Sequence, residues 1–197
     1  MPVESVLSRG LLCFVACGAL VGPSSAWAQC EAGQLTSPKG QREDGFAGVV
    51  ISGDVATVTD SLAYSSLGAV YVYRRGPDGP GDWQLEAVLM SPEPDPDDGF
   101  GACRISRDVI VVGARNANAP EFHRGAVYIY RYDRAGSRQW TYEATLTASD
   151  GKRLWSFGWS LATDEHIAVI GQPNGPRESV YAFSFDGRQW SEKANLF

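Results

Sequence analysis

The sequence predicts an all-β fold in which one four-stranded unit is repeated three times. Three observations lead to this prediction. Landmark residues recur in the same order at nearly constant spacing, short runs of β-branched and aromatic residues alternate with turn residues, and no helical periodicity follows the N-terminal segment. With 197 residues, the chain has room for an export signal and one domain.

The first 28 residues have the three-part layout of a secretory signal peptide. Arg9 gives a weakly basic start, residues 11–21 form an apolar run, and Ala26 and Ala28 are small residues at the two positions that a signal peptidase recognises. The run is shorter than the roughly 20 residues that a spanning helix needs, which makes a retained anchor the weaker alternative. Lipidation at Cys17 is a second, equally weak alternative.

We therefore expect cleavage after Ala28, a mature domain of residues 29–197 and no membrane span once the signal is removed. The expected location is secreted, periplasmic or at the cell surface. The net charge of −6, with no block of basic residues, argues against nucleic acid as a partner.

Four landmarks define the repeat. Each copy opens an apolar stretch with a phenylalanine, at spacings of 54 and 57 residues: Phe46, Phe100 and Phe157. A tyrosine and then a tryptophan follow in each copy: Tyr71, Tyr128 and Tyr181, then Trp83, Trp140 and Trp190. Glu86 and Glu143 stand at matching places after the first two tryptophans. The copies lie at about residues 39–92, 93–149 and 150–197.

The second copy shows the predicted strands most clearly. They cover residues 102–106, Val109–Ala114, Ala126–Tyr132 and 140–147. The second of these strands is almost wholly apolar, which is typical of a strand that is covered on both faces. Four antiparallel strands per unit, with both faces buried, indicate the blade of a β-propeller, which stacks on its neighbours. The alternative, a β-sandwich of about twelve strands, gives no reason for the landmarks to repeat.

The mature part contains two cysteines, Cys30 and Cys103. Cys103 lies on a predicted innermost strand, whereas Cys30 precedes a predicted outermost strand. Strands spaced by about 4.8 Å place these strands on the order of 14 Å apart. A disulfide needs Cα atoms within about 7 Å, so we expect no bond between the two cysteines.

Several segments resemble the FG-GAP repeat. In the second copy the likeness is carried by Phe100-Gly101 together with segments 111–114 and 125–130, and in the third by Phe157-Gly158 with segment 168–173. Such repeats form the seven-bladed propeller at the head of integrin α chains and also occur in many secreted bacterial proteins. The likeness spans about residues 35–197, although the first copy has Phe46-Ala47 in place of Phe-Gly.

The resemblance implies a non-catalytic binding or structural module. It also marks a structural motif, made of Phe46, Phe100, Gly101, Phe157 and Gly158. A phenylalanine at the start of an inner strand is suited to wedge between blades, and the glycine beside it lets two backbones approach closely.

Integrin-type repeats often hold Ca²⁺ in an Asp-rich loop, and Asp95, Asp97 and Asp98 come nearest to that pattern. Pro96 stiffens this segment, which precedes the Phe-Gly pair, whereas the integrin loop joins the first two strands of a blade. The loops at that place here are very short. We therefore expect a solvated acidic turn and no cofactor, with a weak Ca²⁺ site as the alternative.

No catalytic constellation is evident in the sequence. The histidines, His123 and His166, fall in different copies without Glu or Cys at ligand spacing, which argues against zinc. Ser160, Asp164 and His166 can be written as a triad, but no nucleophile elbow surrounds the serine. We therefore predict that the chain is not an enzyme.

The predicted function is that of a secreted or cell-surface binding or structural module with a protein or glycan ligand. Two alternatives remain: an exported carbohydrate-active enzyme domain, which needs paired carboxylates about 5–9.5 Å apart, and an inactive fragment of a longer adhesin-like protein. Ligand contacts are expected from variable loops at one end of the blades, at residues 76–82, 116–124 and 174–178. Because propellers have about four to eight blades, the three blades predict a homo-oligomer or part of a larger propeller.

Overall fold

The computed structural model describes residues 35, 46–118, 124–151, 154–174 and 178–196. Within those residues the chain forms twelve β-strands in three antiparallel four-stranded sheets, and each sheet takes four consecutive strands in chain order. The predicted all-β architecture of three four-stranded units is thus confirmed. No helix in the described part has the length and apolar character needed to cross a bilayer.

The strand bounds are as follows. Sheet 1 contains β1 (Phe46–Ser52), β2 (Val55–Asp60), β3 (Ala69–Arg75) and β4 (Trp83–Leu89). Sheet 2 contains β5 (Phe100–Ser106), β6 (Val109–Ala114), β7 (Ala126–Tyr132) and β8 (Trp140–Leu146). Sheet 3 contains β9 (Ser160–Thr163), β10 (Ile167–Gln172), β11 (Ser179–Phe185) and β12 (Trp190–Leu196).

One short element was not expected from the sequence. The turn α1 (Ala63–Ser66) follows β2, and its Tyr64 and Ser65 have positive φ angles of 56° and 64°. A left-handed turn has no apolar period to reveal it in a sequence, since it places single residues in a region that L-residues enter at a cost.

The three sheets pack face to face through two apolar cores. Between sheets 1 and 2, Val70 and Val72 meet Phe100 and Tyr128. Between sheets 2 and 3, Val127 and Ile129 meet Phe157 and Tyr181 in the same way. The middle sheet therefore buries both faces, which is why β6 is buried along its whole length.

Two glycines allow each sheet to approach its neighbour. A Cβ added to Gly68 would come within 2.3 Å of the carbonyl oxygen of Phe100, and one added to Gly125 within 2.2 Å of that of Phe157. Both glycines also have positive φ, 76° and 88°. The backbone at each phenylalanine thus lies directly against the glycine that precedes the third strand of the previous sheet.

A hydrogen-bonded joint also links sheet 1 to sheet 2. Arg74 donates two hydrogen bonds to Glu86, at 2.6 and 3.0 Å. Trp140 of sheet 2 donates its indole N–H to the same carboxylate at 2.9 Å, and the Arg74 guanidinium lies 4.7 Å from the ring centroid of Tyr132. The hydrogen bond to Glu86 raises the pKa of Arg74.

The same joint recurs between sheets 2 and 3. Arg131 pairs with Glu143, and Trp190 donates its indole N–H to Glu143 at 2.7 Å. The Arg131 guanidinium lies 4.5 Å from the ring centroid of Phe185. The repeated tryptophans at the start of β8 and β12, and the glutamates three residues after Trp83 and Trp140, therefore belong to one repeated contact between sheets.

Candidate functional site

A groove of about 350 Å³ lies where the first strands of the three sheets come together. Its walls come from β1, the end of β2, β5, the residue after β6 and the two residues before β9, so the groove depends on all three sheets being assembled. The residues that line it include Gly48, Thr59, Gly101, Arg104, Arg115 and Trp159.

Two arginines and a tryptophan give the groove its character. The guanidinium of Arg115 stacks 4.7 Å from the ring centroid of Trp159, whose side chain remains 51% exposed. Arg104 is exposed, and its Nη1 donates to the carbonyl of Cys103 at 2.7 Å. None of the described residues that line the groove is acidic, although the whole chain carries a net charge of −6.

Backbone bulges shape the floor of the groove. The pairing of β1 with β2 shifts register between Phe46 and Gly48, and that of β5 with β6 shifts between Phe100 and Ala102. A bulge kinks its strand and leaves one residue without a ladder partner. The groove therefore lies beside strand edges that are locally irregular.

The thiol in the groove wall is not a nucleophile. Cys103 is only 3% exposed, and burial raises the pKa of its thiol to about 11. The thiol lies 3.5 Å from the hydroxyl of Thr57. It is therefore protonated at neutral pH, whereas nucleophilic cysteines react as thiolates. Cys103 is a free cysteine; Cys30 lies outside the described residues, so the absence of a bond between the two stays a prediction.

The residues of the predicted structural motif fall in two places. Phe100 and Phe157 are buried in the two cores between sheets, at 1% and 0% exposure. Gly101 and Gly158 line the groove instead. A Cβ on Gly158 would come within 2.9 Å of the Ala126 carbonyl, whereas one on Gly101 meets nothing closer than 3.8 Å. The side chain of Phe46 lies outside the described set.

The three aspartates considered for Ca²⁺ lie on the connection between β4 and β5. Asp97 is exposed with a φ of 68°, and Asp98 is buried. Asp95 accepts a hydrogen bond from the side-chain amide of Asn118 at 3.1 Å. Among the residues that the structure describes, no group of three His, Cys, Asp or Glu side chains is placed to hold a metal ion.

The residues that can be written as a triad have other roles. Asp164 accepts hydrogen bonds from the backbone N–H groups of His166 and Ile167, both at 2.8 Å, and these bonds lower the pKa of its carboxyl. Its carboxylate thus caps the turn between β9 and β10 instead of orienting an imidazole. His166 is exposed in that turn, and His123 lies outside the described residues.

The sequence model of the FG-GAP repeat family matches residues 140–183. The chain carries an FG-GAP repeat. The match begins at the first residue of β8 and ends within β11, so the FG-GAP repeat joins the last strand of sheet 2 to the first three strands of sheet 3. Its Trp140 and its Phe157-Gly158 pair therefore act at the joints between sheets. A search of the curated proteins finds no match for this chain.

The prediction that the variable loops lie at one end of the blades is wrong. Loop 76–82 connects β3 to β4, whereas loops 116–124 and 174–178 follow the second strand of their sheets. In an antiparallel sheet, the connection after strand two and the connection after strand three lie at opposite ends. These loops therefore cannot contribute to a single site.

Sequence reasoning missed Arg104, Arg115 and Trp159, because it compared the copies for what they share. Each of these residues departs from the repeat. Counted from the phenylalanine, Trp159 stands where the other copies have Gly48 and Ala102. Large or charged residues at positions that are small or apolar elsewhere in a repeat are a signal that was available.

Proposed function

We propose that the chain is a non-catalytic binding module that is exported from the cytoplasm and binds its ligand in the groove. The FG-GAP repeat suggests a β-propeller-type binding or structural module. The observation that carries the proposal is the placement of Arg104, Arg115 and Trp159 in one groove, at positions where the repeat does not require them.

Physical chemistry favours a binding role for these residues. A tryptophan that is 51% exposed and two exposed arginines leave large side chains open to solvent, which folding alone does not require. The same residue types dominate binding energy at interfaces, because each offers a large flat surface with polar groups at one edge. A groove of about 350 Å³ is within the usual range of small ligand sites, about 300–1,000 Å³.

Binding is favoured over hydrolysis by the chemistry of the groove wall. Glycosidases use two carboxyl groups about 5–9.5 Å apart, and none of the described lining residues is acidic. The buried thiol of Cys103, with its raised pKa of about 11, offers no thiolate at neutral pH.

Export is proposed from the N-terminal segment, with the protein secreted, periplasmic or held at the cell surface. The intact mass of the exported protein tests it. We expect a chain that begins at Gln29. A chain that retains Met1, or one lipidated at Cys17, would contradict this part of the proposal.

Binding is tested by screening the exported protein on arrays of glycans and peptides. We expect at least one ligand whose signal is lost in Trp159→Ala and kept in Ile167→Ala, which removes an exposed apolar side chain outside the groove. Unchanged melting temperatures would show that both variants are folded. A ligand that binds both variants equally would place the site elsewhere.

A further inference from the structure

We infer that the ligand of the groove is an acidic polysaccharide, whose sugar rings carry carboxylates. This inference rests on the proposed binding function and adds the chemical class of the ligand. It follows from three features of the groove: its charge, the irregular edges of its strands and its exposed indole.

The charge of the groove selects an anion. Arg104 and Arg115 both line it and no described lining residue is acidic, although acidic residues outnumber basic ones by 23 to 17 in the chain. Arginine has five N–H donors in a planar fork that matches a carboxylate. The stacking of Arg115 on Trp159 and the bond from Arg104 to a carbonyl fix both guanidinium groups before a ligand arrives.

The strand edges disfavour an acidic peptide. A peptide that binds beside a sheet usually adds a strand and pairs with the free edge. Here register shifts between Phe46 and Gly48 and between Phe100 and Ala102 interrupt the ladder at the start of β1 and of β5. Bulges of this kind are a common device against edge pairing, so an added peptide strand is disfavoured at the start of β1 and of β5.

The indole and Gly101 suit a sugar ring. Trp159 is 51% exposed with Arg115 on its ring, so an apolar surface lies beside a cation. A pyranose with a carboxylate presents the complement, an apolar face of C–H groups and a charged edge. A Cβ added to Gly101 would meet nothing closer than 3.8 Å, so the missing side chain at this position leaves room for a ring against the backbone.

A polyphosphate chain is the poorer match. Nucleic acids are bound through many phosphate contacts, each needing a cation. The groove has two arginines in a chain with a net charge of −6, so the rest of the surface opposes a long polyanion. The ligand therefore places a few carboxylates in the groove and makes little use of the surface around it.

The test is titration calorimetry of the exported protein with an oligogalacturonate and with the same oligomer fully methyl-esterified. The two probes share a backbone and differ in charge. Arg104→Gln and Arg115→Gln are compared with Arg188→Gln, an exposed arginine in the turn between β11 and β12. We expect the acid form to bind, and its Kd to rise about tenfold or more in each groove variant and not in Arg188→Gln.

The outcomes separate the ligand class from the binding function. Binding of the acid form that weakens at high salt and depends on both groove arginines supports the inference. Equal binding of the ester overturns the acidic class and leaves the binding function standing. A poly-glutamate peptide that competes with the sugar overturns the sugar assignment. If no glycan or peptide binds at all, both proposals fail.

Discussion

Removing Glu86 from the joint between sheets 1 and 2 is expected to destabilise the fold well beyond a surface substitution. Its carboxylate accepts from Arg74 and from the indole N–H of Trp140, and Trp140 is buried, at 9% exposure. Glu86→Ala leaves that indole N–H without its acceptor in a buried place, at a cost of about 1–3 kcal/mol. Loss of the ion pair, whose Arg74 and Glu86 side chains are 34% and 19% exposed, adds at most about 1 kcal/mol.

The expected total is therefore about 1–4 kcal/mol, and urea unfolding at equilibrium measures it. The matched control is Glu165→Ala, which breaks the pair with the largely exposed Arg107 and is expected to cost under about 1 kcal/mol. Glu86→Gln keeps an acceptor for the indole and should fall between the two.

A double-mutant cycle with Trp140→Phe isolates the bond across the joint. We expect the two substitutions to be non-additive by about 1 kcal/mol or more, because each removes one partner of the same hydrogen bond. Additive effects, or a Glu86→Ala variant as stable as Glu165→Ala, would refute the assignment of this contact as the joint between sheets.

Three further predictions concern packing, titration and assembly. Phe100→Ala should lower the free energy of unfolding by about 3–5 kcal/mol, because the ring is 1% exposed in the core between sheets 1 and 2. Asp97→Asn should lower it by less than about 0.5 kcal/mol, and added Ca²⁺ should leave the melting temperature unchanged. Burial raises the pKa of the Cys103 thiol from 9.0 to about 11, so the thiol loses its proton at lower pH in the unfolded state than in the folded one, and the free energy of unfolding should fall between about pH 9 and pH 11. Cys103→Ala should make this fall smaller. A variant whose stability depends on pH as the wild type's does would contradict the prediction. Sedimentation of the purified protein should give a monomer, and a dimer closed through the outer faces of sheets 1 and 3 would contradict this prediction.

The sheets could be predicted because the local sequence preferences of their strands agree with the burial of those strands in the fold. The bounds of β6 and β7 agree with the predicted Val109–Ala114 and Ala126–Tyr132. Apolar residues fill these strands and Gly, Asn and Asp follow them, so local preference and burial on both faces favour the same structure. β5 begins at Phe100, two residues before its predicted start, because the bulge hides the period of alternation at Gly101.

The groove could not be predicted, because it arises between sheets and not within one. Arg104 and Arg115 belong to sheet 2 and its connections, and Trp159 precedes the first strand of sheet 3. Their distance along the chain says nothing about their approach, which depends on how the Phe-Gly backbones pack against Gly68 and Gly125. The prediction for the variable loops was wrong for a simpler reason. The loops were grouped because their sequences vary, whereas the end of the sheet at which a loop lies depends on which two strands it connects.

The outer face of sheet 3 bears on the predicted homo-oligomer, in which two copies with three blades each would close a six-bladed ring. By register, the positions of Gly68 and Gly125 correspond in sheet 3 to Glu178, and those of Glu86 and Glu143 correspond to Lys193. A side chain at the glycine position meets the incoming Phe carbonyl, since an added Cβ comes within 2.3 Å of it in both existing joints. A lysine offers no acceptor for an indole N–H.

The opposite end of the stack gives an independent reason. The outer face of sheet 1 carries Tyr71 and Tyr73, which are 1% and 4% exposed, and Leu35 packs against their cluster. Their counterparts Tyr128 and Tyr130 are buried to the same degree by a neighbouring sheet. Tyr71 and Tyr73, which a second copy would have to cover, are thus already buried, while the face of sheet 3 lacks the glycine and the carboxylate of the joint. We therefore expect that two copies do not close a ring through this repeated contact, whose glycine and carboxylate are missing from the described face of sheet 3.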